Sequence, residues 1–312
     1  MVGVAQLVEP RVVISAVVGS SPIVHPIFRV LRLLALLAGL LAAGVAVAGD
    51  AVPRLFVAGD STASAYKPNP KDQQGWGAVL QPLFDEAKLR VVDVARGGRS
   101  SRTFITEGHW DRMRSEVRAG DFVIIQFGHN DSGALNQEPP GSTRPLRARG
   151  TIPGIGNESE QIDNVITGSH ETVYSFGWYL RKMIADTRAK GATPILLTLT
   201  KTNTWKDGRI PCDAETHRLW TWQTAGAEKT AFVDLTRITA DRFQREGPET
   251  VKAQFIDDTV HTNIRGAEAN ARDVVSALRA IKTLPFRNML SSLGRAVPAD
   301  RGPAKETVCP KL

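Results

Sequence analysis

The amino-acid sequence predicts an α/β fold, in which helices pack on both faces of a parallel sheet. Short apolar runs alternate with segments of helical spacing from Arg54 to Ile281. The first apolar run is followed directly by Gly59, which is typical of a buried strand that ends at a turn. Strands that alternate with helices lie parallel because their crossovers are right-handed, and both faces of such a sheet are covered.

Each element is predicted from its own pattern. Strands are short apolar runs, and helices place apolar residues three or four positions apart. The predicted strands are Arg54–Ala58, Arg90–Ala95, Phe122–Phe127, Pro194–Thr200 and Ala231–Leu235. The predicted helices are Gly75–Leu89, Tyr174–Lys190, which stops at Gly191, and Ala267–Ile281.

Two stretches have no clear period. Ser132–Gly168 is polar and rich in glycine and proline, and no helix or strand is predicted there. A loop of this length inside a compact domain is usually functional or disordered. Residues 284–312 also lack a period. The predicted organisation is therefore an N-terminal segment 1–48, one domain 49–283 and a C-terminal tail 284–312.

The N-terminal segment has the layout of a secretory signal. Arg29 and Arg32 precede an apolar run from Leu33 that ends in Ala46-Val47-Ala48. The run is shorter than the roughly 20 residues of a membrane span. We expect cleavage near Ala48-Gly49 and a secreted or periplasmic protein without stable membrane association. An uncleaved anchor is the alternative.

The composition excludes several classes of protein. Hydrophobic residues make up 42% and charged residues 23% of the 312 residues, which is ordinary for a globular protein and unlike a disordered, collagen-like or multi-span membrane chain. The net charge of +7 suits an anionic partner, but the chain lacks the dense basic stripe of a nucleic-acid-binding protein. Cys212 and Cys309 are too few for a disulfide scaffold, and the sequence leaves open whether they pair.

Polar or glycine-rich blocks follow the first three predicted strands, and a fourth block precedes the last helix. They are Gly59-Asp60-Ser61-Thr62, Gly97-Gly98-Arg99-Ser100, Gly128-His129-Asn130-Asp131 and Asp258-Thr259-Val260-His261. Ligands of open parallel sheets bind beyond the carboxyl ends of the strands. We therefore expect the four blocks to meet at one edge of the sheet.

The residue types in these blocks indicate a serine hydrolase. Ser61 needs a base to become a nucleophile, and His261 is the candidate base. Asp258 can reach the other ring nitrogen of His261 and stabilise the imidazolium. The backbone N–H groups of Ser61 and Gly98 and the side-chain amide of Asn130 can donate to the oxyanion. Each residue alone has a structural explanation, such as a cap or a turn, but four blocks in this order favour catalysis.

The same blocks carry a family resemblance. Gly59-Asp60-Ser61, Gly98, Gly128-His129-Asn130-Asp131 and Asp258-x-x-His261 resemble the four signatures of the GDSL/SGNH hydrolases. More narrowly, Val57–Thr62, Gly98–Phe104, Phe127–Asp131 and His261–Asn263 are similar to the rhamnogalacturonan acetylesterase branch. The resemblance implies a flavodoxin-like three-layer α/β/α sandwich with a five-stranded parallel sheet. It also implies removal of O-acetyl groups from plant cell-wall polysaccharide, with rhamnogalacturonan or pectin as the substrate.

The resemblance also implies a role for each residue. Ser61 is the nucleophile, His261 the base and Asp258 the orienting carboxylate. Ser61, Gly98 and Asn130 form the oxyanion hole. Asp257 stands beside Asp258, so the orienting carboxylate could be displaced by one position.

Arginine and tryptophan residues near the blocks are candidates for substrate binding. Arg99 and Arg102 could bind an anionic polysaccharide, or be solvated surface charges. Trp205, on the loop after the fourth strand, is a candidate sugar contact. No metal or nucleotide motif is present, so we expect no cofactor. The expected partner is an acetylated polysaccharide or oligosaccharide, and the expected state is a monomer.

Three alternatives remain at this point. The enzyme could act on acetylxylan or on a broad range of carbohydrate esters. It could be a lipase or thioesterase of the same superfamily, although the blocks are polar and arginine-rich rather than apolar. It could also be an inactive carbohydrate-binding module on the same fold.

Overall fold

The computed structural model describes residues 51–69, 71–143, 145–212, 216–304 and 307–312. The predicted N-terminal segment 1–48 and its cleavage site lie outside the described residues. Val52–Leu312 form a single compact unit, so the C-terminal segment 284–312 belongs to the same unit as the preceding residues.

Five parallel strands form the central sheet, as predicted. The strands of the chain are β1 (Arg54–Gly59), β2 (Arg90–Asp93), β3 (Phe122–Gln126), β4 (Ser159–Asp163), β5 (His170–Tyr174), β6 (Thr193–Leu197) and β7 (Ala231–Val233). The sheet order is β2-β1-β3-β6-β7, and every neighbouring pair is parallel. This is the flavodoxin-like order, so the predicted fold class is confirmed.

Helices cover both faces of this sheet. They are α1 (Ser101–Thr106), α2 (His109–Glu116), α3 (Phe176–Ala189), α4 (His217–Ala227), α5 (Leu235–Glu246), α6 (Pro248–Lys252), α7 (Ile264–Ala280) and α8 (Ser292–Ala296). Alternate strand residues point to opposite faces. Val57 and Ile124 pack with α5 and α7, whereas Phe56 and Val123 pack with α1 to α4.

The strand order places the candidate site. The connection from β1 to β2 runs over the face of α7, and the connection from β2 to β3 runs over the opposite face through α1 and α2. The two connections therefore leave a crevice beyond the carboxyl ends of β1 and β3, where ligands of this topology bind. Ser61 follows β1 and Asn130 follows β3, so both residues lie at that crevice.

The predicted helix over Gly75–Leu89 is wrong. Two single turns of 3₁₀-helix, Trp76–Val79 and Gln81–Leu83, replace it. Pro82 cannot donate a backbone hydrogen bond, which favours interruption of a helix there. The amides of Gly75, Trp76 and Gly77 donate to the carbonyls of residues 62–64 instead, so this segment binds to the turn after β1.

The segment between β3 and α3 is not structureless. Residues 132–174, which we call the insert, contain an antiparallel hairpin of β4 and β5 that the sequence analysis missed. Most β4 side chains are exposed, so its sequence carries no apolar run. The segment after residue 283 is also structured: Phe286 and Leu290 are buried in the core under the sheet.

The two cysteines form a disulfide bond. Cys212 is bonded to Cys309, which ties the C-terminal segment to the loop between β6 and α4. Both residues belong to a third apolar cluster, which also contains Phe243 and Phe255. None of the helices within the described ranges is both long enough and apolar enough to span a membrane.

Candidate active site

The turn after β1 presents Ser61 at the carboxyl edge of the sheet. Asp60 holds this turn: its Oδ1 accepts hydrogen bonds from the amide and the hydroxyl of Thr62, each at 2.9 Å. The amide of Ser64 closes the turn on the carbonyl of Asp60 at 3.1 Å. Ser61 is therefore carried by a short, internally bonded turn rather than by a flexible loop.

The segment at residues 73–77 connects this turn to the loop that carries His261. Its Gly75 amide donates to Ser64 O at 3.0 Å. On the other side, Gln74 and Thr262 are joined by two hydrogen bonds, each of 2.8 Å. A Cβ at Gly75 would lie 2.2 Å from the carbonyl carbon of Ala63, so only glycine allows this approach. The segment thus fixes the distance between Ser61 and His261.

Ser61, His261 and Asp258 form one continuous chain of contacts. His261 Nε2 lies 2.9 Å from Ser61 Oγ, and His261 Nδ1 lies 2.6 Å from Asp258 Oδ2. The remaining Asp258 oxygen accepts from the amides of Val260 and His261 at 2.8 and 2.7 Å. The contact identifies Asp258, rather than its neighbour Asp257, as the carboxylate beside the ring.

The ionisation of Asp258 sets the proton positions in this chain. Partial burial raises the pKa of Asp258, but hydrogen bonds from His261 and Val260 outweigh it, so the pKa lies below its usual value. An ionised carboxylate only accepts hydrogen bonds. His261 Nδ1 therefore carries the proton, and Nε2 is free to accept the hydroxyl proton of Ser61.

Gly98 and Asn130 lie with Ser61 around the same cavity, which has a volume of about 760 Å³. Gly98 has a φ of +76°, a conformation that strongly favours glycine. Asn130 Nδ2 donates one N–H to Arg99 O at 2.9 Å and keeps a second N–H for a ligand. Within the described part of the chain, no hydrogen bond occupies the amides of Ser61 or Gly98. Three donors are therefore available beside the Ser61 hydroxyl.

The predicted substrate-binding residues fall in three different places. Arg99 lines the cavity, but its guanidinium is bonded to Glu107 at 2.8 Å. Arg102 is fully buried and bonded to Glu171 through two contacts of 2.7 Å, so its assignment to substrate binding is wrong. Trp205 packs against the disulfide-containing cluster and is not among the residues that line the cavity, so its assignment as a sugar contact stays a prediction.

Sequence analysis missed several residues of the cavity, among them Tyr66, Arg147 and Arg149. Tyr66 donates its hydroxyl to Ser61 O at 3.3 Å, and burial raises the pKa of Tyr66 to about 12, so the donor stays protonated. Arg147 and Arg149 line the same cavity. Both arginines come from the insert, whose sequence has no period from which the direction of a side chain could be inferred.

His129 also lines the cavity but takes no part in the Ser61 chain. Its Nε2 lies 3.4 Å from Thr200 Oγ1. Burial lowers the pKa of His129, so the ring is neutral at neutral pH. Among the residues for which the structure is described, no group of three or more His, Cys, Asp or Glu side chains could hold a metal ion.

The chain has recognisable relatives. The model of the GDSL-like Lipase/Acylhydrolase family matches residues 57–269. The chain is 29% identical to a rhamnogalacturonan acetylesterase of Emericella nidulans over 224 residues, which span 72% of this chain and 84% of that protein. It is also 29% identical to the rhamnogalacturonan acetylesterase RhgT of Bacillus subtilis over 255 residues, or 77% of this chain and 94% of RhgT.

A solved structure supports the fold. Protein YxiM of Bacillus subtilis superposes with a TM-score of 0.58 at 27% identity, over 73% of this chain. The matched region is 56% of the YxiM chain, so this protein spans little more than half of that relative. The matched family, the sheet order and the serine, histidine and aspartate contacts agree with one another: the chain belongs to the GDSL-like lipase/acylhydrolase family and is a carboxylic ester hydrolase.

Proposed function

We propose that this protein removes acetyl groups from plant cell-wall polysaccharide and that rhamnogalacturonan is its substrate. The observation that carries the chemistry is the chain from Ser61 Oγ through His261 to Asp258, with contacts of 2.9 and 2.6 Å. The two relatives from Emericella nidulans and Bacillus subtilis, whose names include rhamnogalacturonan acetylesterase, support the choice of substrate.

In the first half of the reaction, Ser61 Oγ attacks the acetyl carbonyl. His261 Nε2 takes the hydroxyl proton, and Asp258 stabilises the imidazolium through Nδ1. The carbonyl oxygen becomes an oxyanion, which accepts hydrogen bonds from the amides of Ser61 and Gly98 and from Asn130 Nδ2. The sugar oxygen leaves with the proton from His261, and an acetyl ester of Ser61 remains.

In the second half, water replaces the sugar. His261 Nε2 removes a proton from the water, whose oxygen attacks the acetyl carbon, and the same three donors hold the oxyanion. Ser61 Oγ then leaves with the proton from His261, and acetate is released. Every step uses side chains and amides of this chain.

A lipase or thioesterase activity is the second candidate, and one observation favours it. Leu146 and Ile166 line the cavity although their side chains are 45% and 54% exposed. Such apolar side chains could contact a longer acyl chain. The acyl-length profile separates the candidates: an acetylesterase prefers p-nitrophenyl acetate, and a lipase hydrolyses the octanoate ester at least as well.

The direct test is acetate release from acetylated rhamnogalacturonan, acetylated pectin and acetylated xylan. Wild-type protein should release acetate fastest from rhamnogalacturonan, and Ser61→Ala should release none above background. Ser64→Ala is the matched control, because Ser64 is in the same turn but donates to backbone carbonyls. Faster release from xylan would contradict the proposed substrate, and no hydrolysis of any ester by wild type would favour a binding module.

We further propose that the protein acts outside the cytoplasm. The pattern at residues 29–48 and the disulfide between Cys212 and Cys309 support this location, because structural disulfides persist in oxidising compartments. Expression of the full chain with a C-terminal tag tests it. Cleavage near Ala48 with tagged protein outside the cytoplasm is the expected result, whereas uncleaved tagged protein in the cytoplasm would contradict it.

A further inference from the structure

The lining of the cavity carries an excess of positive charge. Three arginines line the cavity, Arg99, Arg147 and Arg149, against one carboxylate, Glu107. Glu107 is already paired, because its Oε2 lies 2.8 Å from Arg99 Nε. The charges of Arg147 and Arg149 are therefore not neutralised by the residues that line the cavity. We call these two residues the arginine pair.

Both members of the arginine pair lie close to Gly98. The Arg149 Nη1 donates to Gly98 O at 3.0 Å. A Cβ built at Gly98 would lie 3.6 Å from Arg149 Nη1 and 3.8 Å from Arg147 Nη1. The two nitrogens are thus no more than about 7.4 Å apart, the sum of those two distances. Gly98 also lines the cavity with Ser61, so the pair stands beside the place where the ester is hydrolysed.

The arginine pair has no carboxylate partner in the described part of the chain. No ion pair involves either residue there. Glu138 lines a neighbouring cavity with both arginines but is not within ion-pair distance of either. Burial, and then the like charge of Arg147, lower the pKa of Arg149, whereas the charges of Asp131, Asp60 and Glu138, none of them within ion-pair distance, act in the opposite direction.

An anion between the two guanidinium groups would relieve this repulsion. Arg149 is half-buried and fixed by Gly98 O, whereas Arg147 is exposed and its N–H groups are unoccupied in the described residues. A carboxylate suits this arrangement because guanidinium presents paired donors in a planar fork. Because the pair and the reacting serine line one cavity, a carboxylate of the substrate is the anion that can reach the pair while its ester is at Ser61.

We propose that the arginine pair binds the carboxylate of a uronic acid residue next to the acetylated sugar, and that Arg147 is the residue that determines this specificity. The inference rests on the proposed acetylesterase function and adds to it. An enzyme that only needs an acetyl ester gains nothing from the pair. An enzyme for an acidic polysaccharide gains two things from the pair. The bound carboxylate fixes which acetyl group meets Ser61, and neutral polysaccharides bind less well.

The test is a cycle that changes the protein and the substrate separately. Wild type and Arg147→Gln are each assayed for kcat/KM on acetylated rhamnogalacturonan oligosaccharide and on the same oligosaccharide after chemical reduction of its carboxyl groups. Losing a hydrogen-bonded charge partner should lower kcat/KM roughly 10- to 100-fold. Relative to wild type on the acidic oligosaccharide, we expect this loss of kcat/KM from Arg147→Gln alone and from carboxyl reduction alone. Combining the two changes should cause little further loss.

Two more variants sharpen the result. Arg147→Lys keeps the charge and should recover part of kcat/KM on the acidic substrate. Arg90→Gln is the control. It removes a positive charge from the exposed first residue of β2, at the amino ends of the strands, and should change kcat/KM on the two substrates equally. Rising salt should weaken the activity of wild type on the acidic substrate more than on the reduced one.

The outcomes separate this inference from the proposed function. Equal losses for Arg147→Gln on both substrates would mean that Arg147 supports the oxyanion site or the fold, and would overturn the inference. No loss on either substrate would overturn it as well. In both cases, acetate release by wild type that depends on Ser61 would leave the acetylesterase function standing.

Discussion

The loops at the ends of the central strands and the insert between β3 and α3 both line one cavity, but they are held in place differently. The strand-end loops are bonded to one another: Asn130 Nδ2 donates to Arg99 O at 2.9 Å, and the Ser101 amide donates to Asp131 Oδ1 at 3.0 Å. The insert is attached at its base through Arg102 and exposes Arg147 at its rim.

This difference separates chemistry from substrate choice. Donors for an oxyanion must be held in position before the reaction, and buried hydrogen-bonded loops do this. Contacts to a polymer tolerate an exposed surface, and loops carry such contacts most often. Changes in the strand-end loops should therefore reduce hydrolysis of every ester, and changes in the insert should affect particular substrates or stability.

The largest effect is expected at His261. His261→Ala removes the base, and kcat on p-nitrophenyl acetate should fall on the order of 10⁴- to 10⁶-fold. His170→Ala is the matched control, because the insert contains a similar pair in which His170 Nδ1 lies 2.9 Å from Asp163 Oδ1. That exposed pair should matter less than about twofold. Equal losses in both variants would contradict the division between the two regions.

The next effect is expected at the oxyanion donors. Asn130→Ala should lower kcat about 10²- to 10³-fold with little change in KM, because the donor is needed most in the transition state. Asn136→Ala removes an amide of the insert, whose Nδ2 donates to Asp163 O, and should leave kcat unchanged. Kinetics on p-nitrophenyl acetate would measure both. A loss confined to KM in Asn130→Ala would contradict an oxyanion role.

Substitution of the buried Arg102 should destabilise the protein much more than substitution of the exposed Arg147. Arg102→Met leaves the Glu171 carboxylate without its partner in a largely buried position, which should lower the free energy of unfolding by about 3–5 kcal/mol. Arg147→Met should change it by less than about 0.5 kcal/mol, as for an ordinary surface residue. Urea denaturation measures both values. A similar decrease in the free energy of unfolding of both variants would show that Arg147 also stabilises the fold, which would contradict this prediction.

The stability that Arg102→Met loses should depend on pH, because the pair includes the carboxylate of Glu171. Burial raises the pKa of Glu171, but the bonds from Arg102 and Asn164 outweigh it and hold the pKa below the usual value of 4.5. The stabilisation by the pair is therefore complete above about pH 4.5 and is lost as the pH falls through the lower folded value. The difference in free energy of unfolding between wild type and Arg102→Met should therefore become smaller in acid.

A further pH-dependent effect on stability is expected at Asp131. Burial raises the pKa of Asp131 from 3.8 to about 7, and its Oδ2 has no partner in the described residues. Between these values the folded state keeps a proton that the unfolded state has lost, so stability falls as pH rises, by up to about 1.4 kcal/mol per pH unit. Asp131→Asn should flatten this slope. Glu160→Gln, an exposed carboxylate change in the insert, should not.

Much of the strand-end region could be predicted from sequence. Buried parallel strands are continuous apolar runs, and topology alone brings their carboxyl ends together, so Ser61, Asn130 and His261 could be expected to meet. The error at Arg102 has a physical cause. Arg102 is the second residue of α1, and an arginine there can point to the substrate or to the insert. Its direction is set by Glu171, which is far along the chain.

Most of the insert could not be predicted. Its hairpin is exposed on most of one strand, so no apolar period marks it, and Arg147 has no neighbour in the sequence that fixes its direction. The surroundings of Trp205 could not be predicted for a similar reason. Its position depends on a cluster built around Cys212 and Cys309, which are distant in the chain. Contacts that span long separations and leave no periodic pattern are the part that requires the structure.

The central claim is that Ser61 becomes covalently acylated, and a fluorophosphonate tests it most directly because it traps an activated serine as a stable adduct. Intact-mass and peptide analysis of the labelled protein should find one adduct, on the peptide that contains Ser61. Ser64→Ala should label at the wild-type rate, and Ser61→Ala should not label. An adduct at another residue, or full ester hydrolysis by a protein whose Ser61 stays unmodified, would contradict the account.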